Sequence, residues 1–331
     1  MAGFGVSSER VFGLDIGYET LKLCELKKNR NSAKIVGIFE YPITKKILEQ
    51  DRIKDKEAVA NMIKEARRKS KPHSIKSPGI VTALPENFVF SKTIQVPKMT
   101  EKELLTAIPN EAALYLPVPL ESVYIDFQIL TIHPEENLMD VLIAATPKKL
   151  VDDYVEMAKL AGLKLLALET KPIAVGRAII PDKSKEGTVI VHIGTELTRI
   201  SIWDKGKIRL ITTAATGKNK IIEGVSGITG KATKIDKIKI KSEDKEHIKP
   251  IIQPIIDEVL ESVRYYQNRG YKPSKISKIL VCGSGGLLAG MDKFIESELK
   301  IKTEIAKTKI KTSIEIKPNY MTAFGLAMRE I

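Results

Sequence analysis

The chain has 331 residues, 43% hydrophobic and 29% charged, a globular balance that fits two or three compact units and excludes bulk disorder. Its formal net charge is +13, carried by scattered lysines that either serve solubility or face anionic lipid headgroups and nucleotide phosphates. Zinc-knuckle spacing, an RNA-binding strand signature and an Arg-rich arm are all missing, so nucleic acid is not an expected partner.

Phe12 to Leu26 reads as two strands split by Asp15-Ile16-Gly17-Tyr18-Glu19. Leu21, Leu23 and Leu26 nearly alternate with Lys22 and Glu25, as a half-buried strand requires. Residues 34–41 give a third strand. A helix is predicted over 54–69, with Ala58, Val59, Met62, Ile63 and Ala66 on one stripe and Arg67, Arg68 and Lys69 at its negative end. Residues 79–84 form a short buried strand. Thr100-Glu101-Lys102-Glu103 is a capping box opening a helix toward Tyr115, which Pro109 should kink. Strands are predicted over 123–130 and 139–145. Thr146-Pro147 then starts a helix with Thr146 as N-cap and Pro147 at its first position. Its inward face is Val151, Tyr154, Val155 and Ala158, and Gly162 ends it.

A second unit opens at Gly187. Residues 188–193 and 197–203 are strands around His192-Ile193-Gly194-Thr195-Glu196. The Lys-rich segment 231–249 reads as exposed strand and loop, and 251–267 as an amphipathic helix. A buried strand at 279–282 runs into Gly283-Ser284-Gly285-Gly286 and a helix predicted over 287–299. Pro318 precedes a last short helix that packs Ala323, Phe324 and Ala327. The expected division is a first lobe (1–87, 164–186 and 318–331), an inserted subdomain (88–163), a second lobe (187–217 and 276–317) and a small subdomain (218–275).

Cys24 and Cys282 are too few for a disulfide framework and read as buried thiols in a reducing cytosol. Met1 to Arg10 shows no apolar signal-peptide core, and no apolar run approaches the roughly 18 residues of a membrane span. A soluble chain is therefore expected, with any membrane contact made through a partner.

An internal repeat carries the functional argument. Leu14-Asp15-Ile16-Gly17-Tyr18-Glu19-Thr20-Leu21-Lys22-Leu23 can be laid on Val191-His192-Ile193-Gly194-Thr195-Glu196-Leu197-Thr198-Arg199-Ile200. In both, a buried strand turns at a glycine, and the next strand carries a basic residue at the same offset. Such hairpins can aim backbone N–H groups at phosphate oxygens, and Gly17 and Gly194 allow close approach. Asp15 can hold a magnesium ion through water, and Lys22 can place a cation near the phosphates. Gly283-Ser284-Gly285-Gly286 leaves room for a base or sugar and opens a helix N-terminus that attracts anions, although alone it would serve equally as a packing turn.

The order of these motifs, closing with Thr322-Ala323-Phe324-Gly325-Leu326-Ala327, resembles the actin, chaperone and sugar-kinase superfamily. More closely, Phe12-Gly13-Leu14-Asp15-Ile16-Gly17, Ile108-Pro109-Asn110-Glu111-Ala112-Ala113-Leu114-Tyr115-Leu116-Pro117, Tyr124-Ile125-Asp126-Phe127-Gln128-Ile129-Leu130 and Ala144-Ala145-Thr146-Pro147-Lys148 resemble the PilM family. These are cytoplasmic actin-like proteins of type IV pilus assembly, relatives of the division protein FtsA. The resemblance covers nearly the whole chain and is most specific in its middle. It implies an α/β actin-like two-lobe ATPase fold, with duplicated ribonuclease-H-like lobes and a subdomain inserted in the first. It implies ATP and Mg2+ as cofactors, held by Asp15, Gly17, Tyr18, Glu19, Thr20 and Lys22 from the first hairpin. Gly194, Thr195, Glu196 and Gly217 would contribute from the second lobe, and Gly283, Ser284, Gly285 and Gly286 beside the adenosine. Asp15 would be the metal-site acid, and Glu169, before Pro172, the carboxylate near magnesium or the attacking water. The implied partner is the N-terminal cytoplasmic tail of a PilN-like membrane protein, which would hold the chain at the inner face of the cytoplasmic membrane. Other proteins of the pilus-assembly platform are further implied partners, and self-association is left open.

The chain departs from the superfamily pattern in places. His192 stands where the second hairpin normally begins with Asp, replacing an anion by a group mostly neutral near pH 7. Tyr18 is bulky for a phosphate loop. Lys218-Asn219-Lys220 after Gly217 lacks the helix signature expected near adenine. Nucleotide binding with slow or absent hydrolysis is the expectation. His73, His133 and His247 lack metal-ligand spacing and read as surface-loop residues.

Three functions compete. A scaffold would hold an extended tail in a groove between the first lobe and the inserted subdomain, with wall residues within 107–120, although Ala112, Leu114, Leu116 and Val118 there also read as core. An FtsA-like tether or polymer would need a C-terminal amphipathic tail, whereas the sequence stops at Ile331 just after its last predicted helix. A small-molecule kinase would need a carboxylate base, and Asp126 lies in the inserted unit, far from the expected site.

Overall fold

The computed structural model describes residues 10–29, 31–43, 47–49, 52–229, 240, 245–268 and 273–331. Two mixed sheets are built to one plan. In the first, Ser32–Pro42, Thr20–Asn29 and Val11–Ile16 form an antiparallel meander, extended in parallel by Gly79–Leu84 and Lys164–Thr170. In the second, Lys207–Ala214, Thr198–Asp204 and Gly187–Ile193 form the same meander, extended in parallel by Ile276–Cys282 and Thr303–Ile305. The repeat of two short motifs is thus a repeat of two five-strand arrangements.

Each sheet buries one face under helices. Lys56–Lys69, capped by Asp55 accepting from the Ala58 N–H, packs Val59, Met62, Ile63 and Ala66 on the first sheet. Lys148–Leu160 joins the same core through Leu150, Tyr154, Met157 and Ala158. Lys245–Gln267 covers the second sheet with Ile248, Ile252, Ile255 and Val259. Helices Lys171–Ile179 and Met321–Ala327 supply Val175, Ala178, Ala323 and Phe324 to a core shared with Ile190, Trp203 and Leu280 of the second sheet. That shared apolar layer joins the lobes beneath the cleft.

The inserted unit is a three-stranded antiparallel sheet in the order Phe90–Pro97, Leu138–Pro147, Val123–His133, backed by Glu101–Ala113. The capping box forms as expected, with the Glu103 N–H and the Thr100 side chain in contact and the Glu103 carboxylate on the Thr100 N–H. The helix continues through Pro109. Cys24 and Cys282 are buried free thiols, raised by burial well above the usual thiol range.

Several expectations are corrected. Thr146 and Pro147 end a strand, because both still pair with Tyr124 and Val123 across the sheet, and the helix begins only at Lys148. Its buried face accordingly takes Leu150 and Met157 in place of Val151 and Val155. Lys218–Thr229 is a helix, anchored by buried Ile221 and Val225 one turn apart. The expected exposed segment over 231–249 lies mostly outside the described residues. Where described, it differs: Ile240 is buried and donates its N–H to the Ala289 carbonyl, and residues from Lys245 onward are helical. The turn after Cys282 is a short 3-10 segment, Ser284–Leu287, and the α-helix is delayed to Met291–Leu299.

Candidate functional site

The two hairpins close with the same hydrogen bond. The Gly17 N–H donates to the Thr20 carbonyl at 2.9 Å, and the Gly194 N–H donates to the Leu197 carbonyl at 2.9 Å. The repeat extends to side chains. Asp15 is the cross-strand partner of Lys22, and His192 is the cross-strand partner of Arg199. Directly opposite residues of an antiparallel pair share a face, so each hairpin presents its strand-end residue beside a cation. Both pairs face a cavity of about 330 Å³ between the lobes.

Of the residues predicted from the sequence, Asp15, Gly17, Tyr18, Glu19, Thr20, Lys22, Gly194, Thr195, Glu196 and Ser284 line this cleft. Gly217, Gly283, Gly285 and Gly286 do not, and the first three pack closely on protein atoms. A Cβ on Gly283 would lie 2.2 Å from His192 Cδ2, one on Gly285 2.2 Å from Ile193 Cγ2, and one on Gly217 2.3 Å from the Glu196 carbonyl carbon. The nearest atom to a Cβ on Gly286 would be Pro318 Cβ at 3.0 Å. Gly283 also holds φ +80°, a conformation that favours glycine. Gly217, Gly283 and Gly285 pack against the second hairpin, and Gly286 against Pro318. The turn opens a short 3-10 segment in place of the expected α-helix, and its Ser284 and Leu287 line the cleft.

Glu169 is not brought to the cleft. Arg177 binds both its carboxylate oxygens, at 2.6 and 2.7 Å, Arg329 contacts it too, and it lines a different cavity. Lys171, two residues further on, turns toward the cleft instead. Lys171 Nζ lies 3.0 Å from Asp15 Oδ1, as an ion pair without an aligned hydrogen bond to that oxygen, and 3.2 Å from the Ile16 carbonyl. Its backbone N–H donates to Glu86 Oε1 at 2.7 Å.

Sequence reasoning missed Lys171 and Glu86 and noted Arg199 and Lys218 without a role. Arg199 pairs with Glu86 at 3.4 Å and donates to Asn87 Oδ1 at 3.0 Å. Lys218 pairs with Glu19, and Asn219 Nδ2 donates to Glu19 at 3.2 Å and to Glu196 at 2.7 Å. Lys22 pairs with Glu40 at 3.4 Å and contacts the Thr20 hydroxyl. Four cations and four carboxylates therefore pair around the cavity, two of the pairs crossing from lobe to lobe.

Burial pushes the Asp15 carboxyl up, but Lys171 and Lys22 outweigh it and hold it below the usual carboxylate range. Burial raises Glu86. Burial, with Lys171 next, pushes His192 down to about 4, so its imidazole is neutral at pH 7.

The donors do not suit the magnesium ion expected at Asp15. Its Oδ1 is paired with an ammonium, the second hairpin offers an imidazole in place of a carboxylate, and no group of three His, Cys, Asp or Glu able to hold a metal occurs among the described residues. Magnesium at a nucleotide site is held through water by one or two carboxylates and the substrate phosphates, and here the carboxylate at the strand end is already engaged by Lys171.

A second cavity, of about 280 Å³, lies between the first sheet and the inserted sheet. Strand Val123–His133 is an edge of its sheet, pairing only with Leu138–Pro147 among the described residues. Tyr124 to Gln128 of that edge line the cavity, facing Leu84, Leu168 and Ile173 of the first lobe. The buried hydroxyls of Thr146 and Thr170 line it as well, without hydrogen-bond partners. The expected wall at 107–120 is not part of it: Ala112 is in the core, and Leu114 is 72% exposed elsewhere. Asp126 also lines this cavity and not the cleft. His133 sits at the end of its strand, 3.0 Å from Asp140, and His247 lies on a helix, so neither is a loop residue.

The sequence model of the family described as "Type IV pilus assembly protein PilM" matches residues 13–331. A chain of a "PilM-PilN type IV pilus biogenesis complex" superposes with a TM-score of 0.83 at 23% identity, covering 97% of this chain and 98% of the other. The ethanolamine utilization protein EutJ of Carboxydothermus hydrogenoformans superposes at 0.55 with 15% identity, covering 96% and 88%. MreB5 of Spiroplasma citri bound to AMPPNP superposes at 0.51 with 15% identity, covering 96% and 95%. The fold is the actin-like ATPase fold expected from the sequence.

Proposed function

The chain belongs to the PilM family of type IV pilus assembly proteins, and on that premise we propose that it is a nucleotide-binding scaffold that holds the cytoplasmic tail of a PilN-like membrane protein. The observation that carries the tail reading is the cavity along the free edge of Val123–His133. An edge strand offers unpaired N–H and C=O groups, and an extended peptide satisfies them by adding a strand. Five residues of such a tail span about 17 Å. The half-buried Ile125 and Phe127, with Leu84 and Leu168 opposite, supply apolar seats for alternate side chains. The unpartnered Thr146 and Thr170 hydroxyls supply polar ones.

The cleft supports nucleotide binding through its paired hairpins and four cations. The neutral His192 and the engagement of Glu169 by two arginines leave neither poised as base among the described residues, which supports a nucleotide that acts as a structural ligand and is turned over slowly or not at all. No helix among the described residues is long and apolar enough to cross a membrane, and attachment to the inner face of the membrane runs through the partner. Contacts with other platform proteins would follow from that position. A labelled peptide of the partner's tail tests the reading by fluorescence anisotropy. Ala144→Arg, which fills the groove, should abolish tail binding and leave nucleotide binding intact; equal tail binding by both proteins would place the tail elsewhere.

A further inference from the structure

We propose, resting on the nucleotide reading above, that the Lys171 ammonium stands where a divalent cation would bridge Asp15 to the phosphates, and that the cleft takes its nucleotide free of magnesium. Lys171 opens helix Lys171–Ile179 directly after strand Lys164–Thr170. Its backbone is fixed there by the Glu86 carboxylate. From that anchor, Nζ reaches both Asp15 Oδ1, at 3.0 Å, and the Ile16 carbonyl, at 3.2 Å, at the strand end where the first hairpin begins. An ammonium carries three N–H donors. One donor is spent on the Ile16 carbonyl, Asp15 is held as an ion pair without an aligned hydrogen bond, and a donor remains for a phosphate oxygen in the cleft. A metal would do the same work: one bond to the carboxylate, another to the phosphate.

The surroundings oppose a metal at that place. Lys22 stands on the neighbouring strand directly opposite Asp15, with its ammonium paired to Glu40, so the carboxylate already feels two ammonium groups. A divalent ion beside Asp15 would meet both, and like charges repel strongly where water is scarce. The second hairpin offers His192, a nitrogen donor, where a hard oxygen donor would be needed. Each cation in the cleft is balanced by a carboxylate, so the phosphates are held by directed donors and not by excess charge. Modest affinity and tolerance of a metal-free triphosphate follow together.

Calorimetric titration of ATP into the full chain, in EDTA and in excess magnesium, tests this. Affinity in EDTA should lie within about threefold of that in magnesium. Lys171→Gln should lose about tenfold in EDTA, as expected for one charge-assisted contact, and magnesium should now restore part of the loss at the vacated carboxylate. Wild-type binding that appears only with magnesium overturns the proposal while the nucleotide reading stands. Wild-type affinity in Lys171→Gln in both buffers overturns it as well. Absence of binding in either buffer fells the nucleotide reading and this proposal with it. If Lys171→Gln does not fold, the wild-type comparison decides alone, with Lys171→Arg expected to keep the indifference to magnesium.

Discussion

Replacing Arg209 with methionine removes the buried cation that joins the inserted sheet to the second lobe. Arg209 Nη1 donates to Asp140 Oδ2 at 2.7 Å, with the two side chains 6% and 2% exposed. Removing one partner of such a pair strands the other charge and costs roughly 3–5 kcal/mol. Asp140 retains His133 Nε2 at 3.0 Å and Gln95 Nε2 at 3.3 Å. These partners stabilise the remaining carboxylate, so the lower end, about 3 kcal/mol, is expected. Asp140→Asn should destabilise from the other side, and the double variant should lose less than the two single losses added, with a coupling of about 1–3 kcal/mol. The assay is urea unfolding of all four proteins, read by the fluorescence of Trp203, the single tryptophan, which lies in the core between the lobes. A loss below about 0.5 kcal/mol for Arg209→Met, the range of ordinary surface changes, would refute a buried structural pair.

The site makes further predictions. His192 is held near about 4 against an ordinary 6.5, so between those values the unfolded chain binds a proton that the folded chain refuses. Stability should therefore fall as pH drops from 6.5 toward about 4, and His192→Asn should flatten that part of a plot of urea midpoint against pH; an unchanged slope contradicts the assignment. Gly285→Ala drives a Cβ into Ile193 and should cost about 1–3 kcal/mol in chemical denaturation while weakening nucleotide binding more than tail binding. Glu169→Gln should lower the melting temperature by loosening Arg177 and Arg329, yet leave nucleotide affinity within about twofold, since the residue lies off the cleft.

The hairpins were legible in the sequence because everything that makes them is local. Strand, glycine and returning strand follow within ten residues, and the equal offset of Lys22 and Arg199 already marked the two cross-strand pairs. The rest of the cleft is assembled from afar. Lys171 reaches Asp15 only because Lys164–Thr170 runs parallel to Gly79–Leu84, two strands from the hairpin, and no spacing in the chain reports that. Glu169 was misplaced because Arg177 and Arg329, distant in sequence, hold its carboxylate at the second cavity, and the chain reaches the cleft only at Lys171, where the helix begins. The glycines of 283–286 carried an ambiguous signal. A Gly-rich turn after a buried strand serves a ligand or a packing contact equally, and only the fold shows that Gly283 and Gly285 pack on His192 and Ile193. Thr146-Pro147 misled because a proline's φ suits an extended strand end as well as a helix start, and pairing with Val123 and Tyr124 settles it as strand.

Hydrogen exchange of the full chain with and without a synthetic peptide of the partner's cytoplasmic tail tests the scaffold most directly. A tail added along the free sheet edge should protect backbone amides within Val123–His133, with smaller effects on the facing strand Lys164–Thr170. Protection confined to the exposed segment around Leu114 and Val118, or absent from the edge strand altogether, would contradict it.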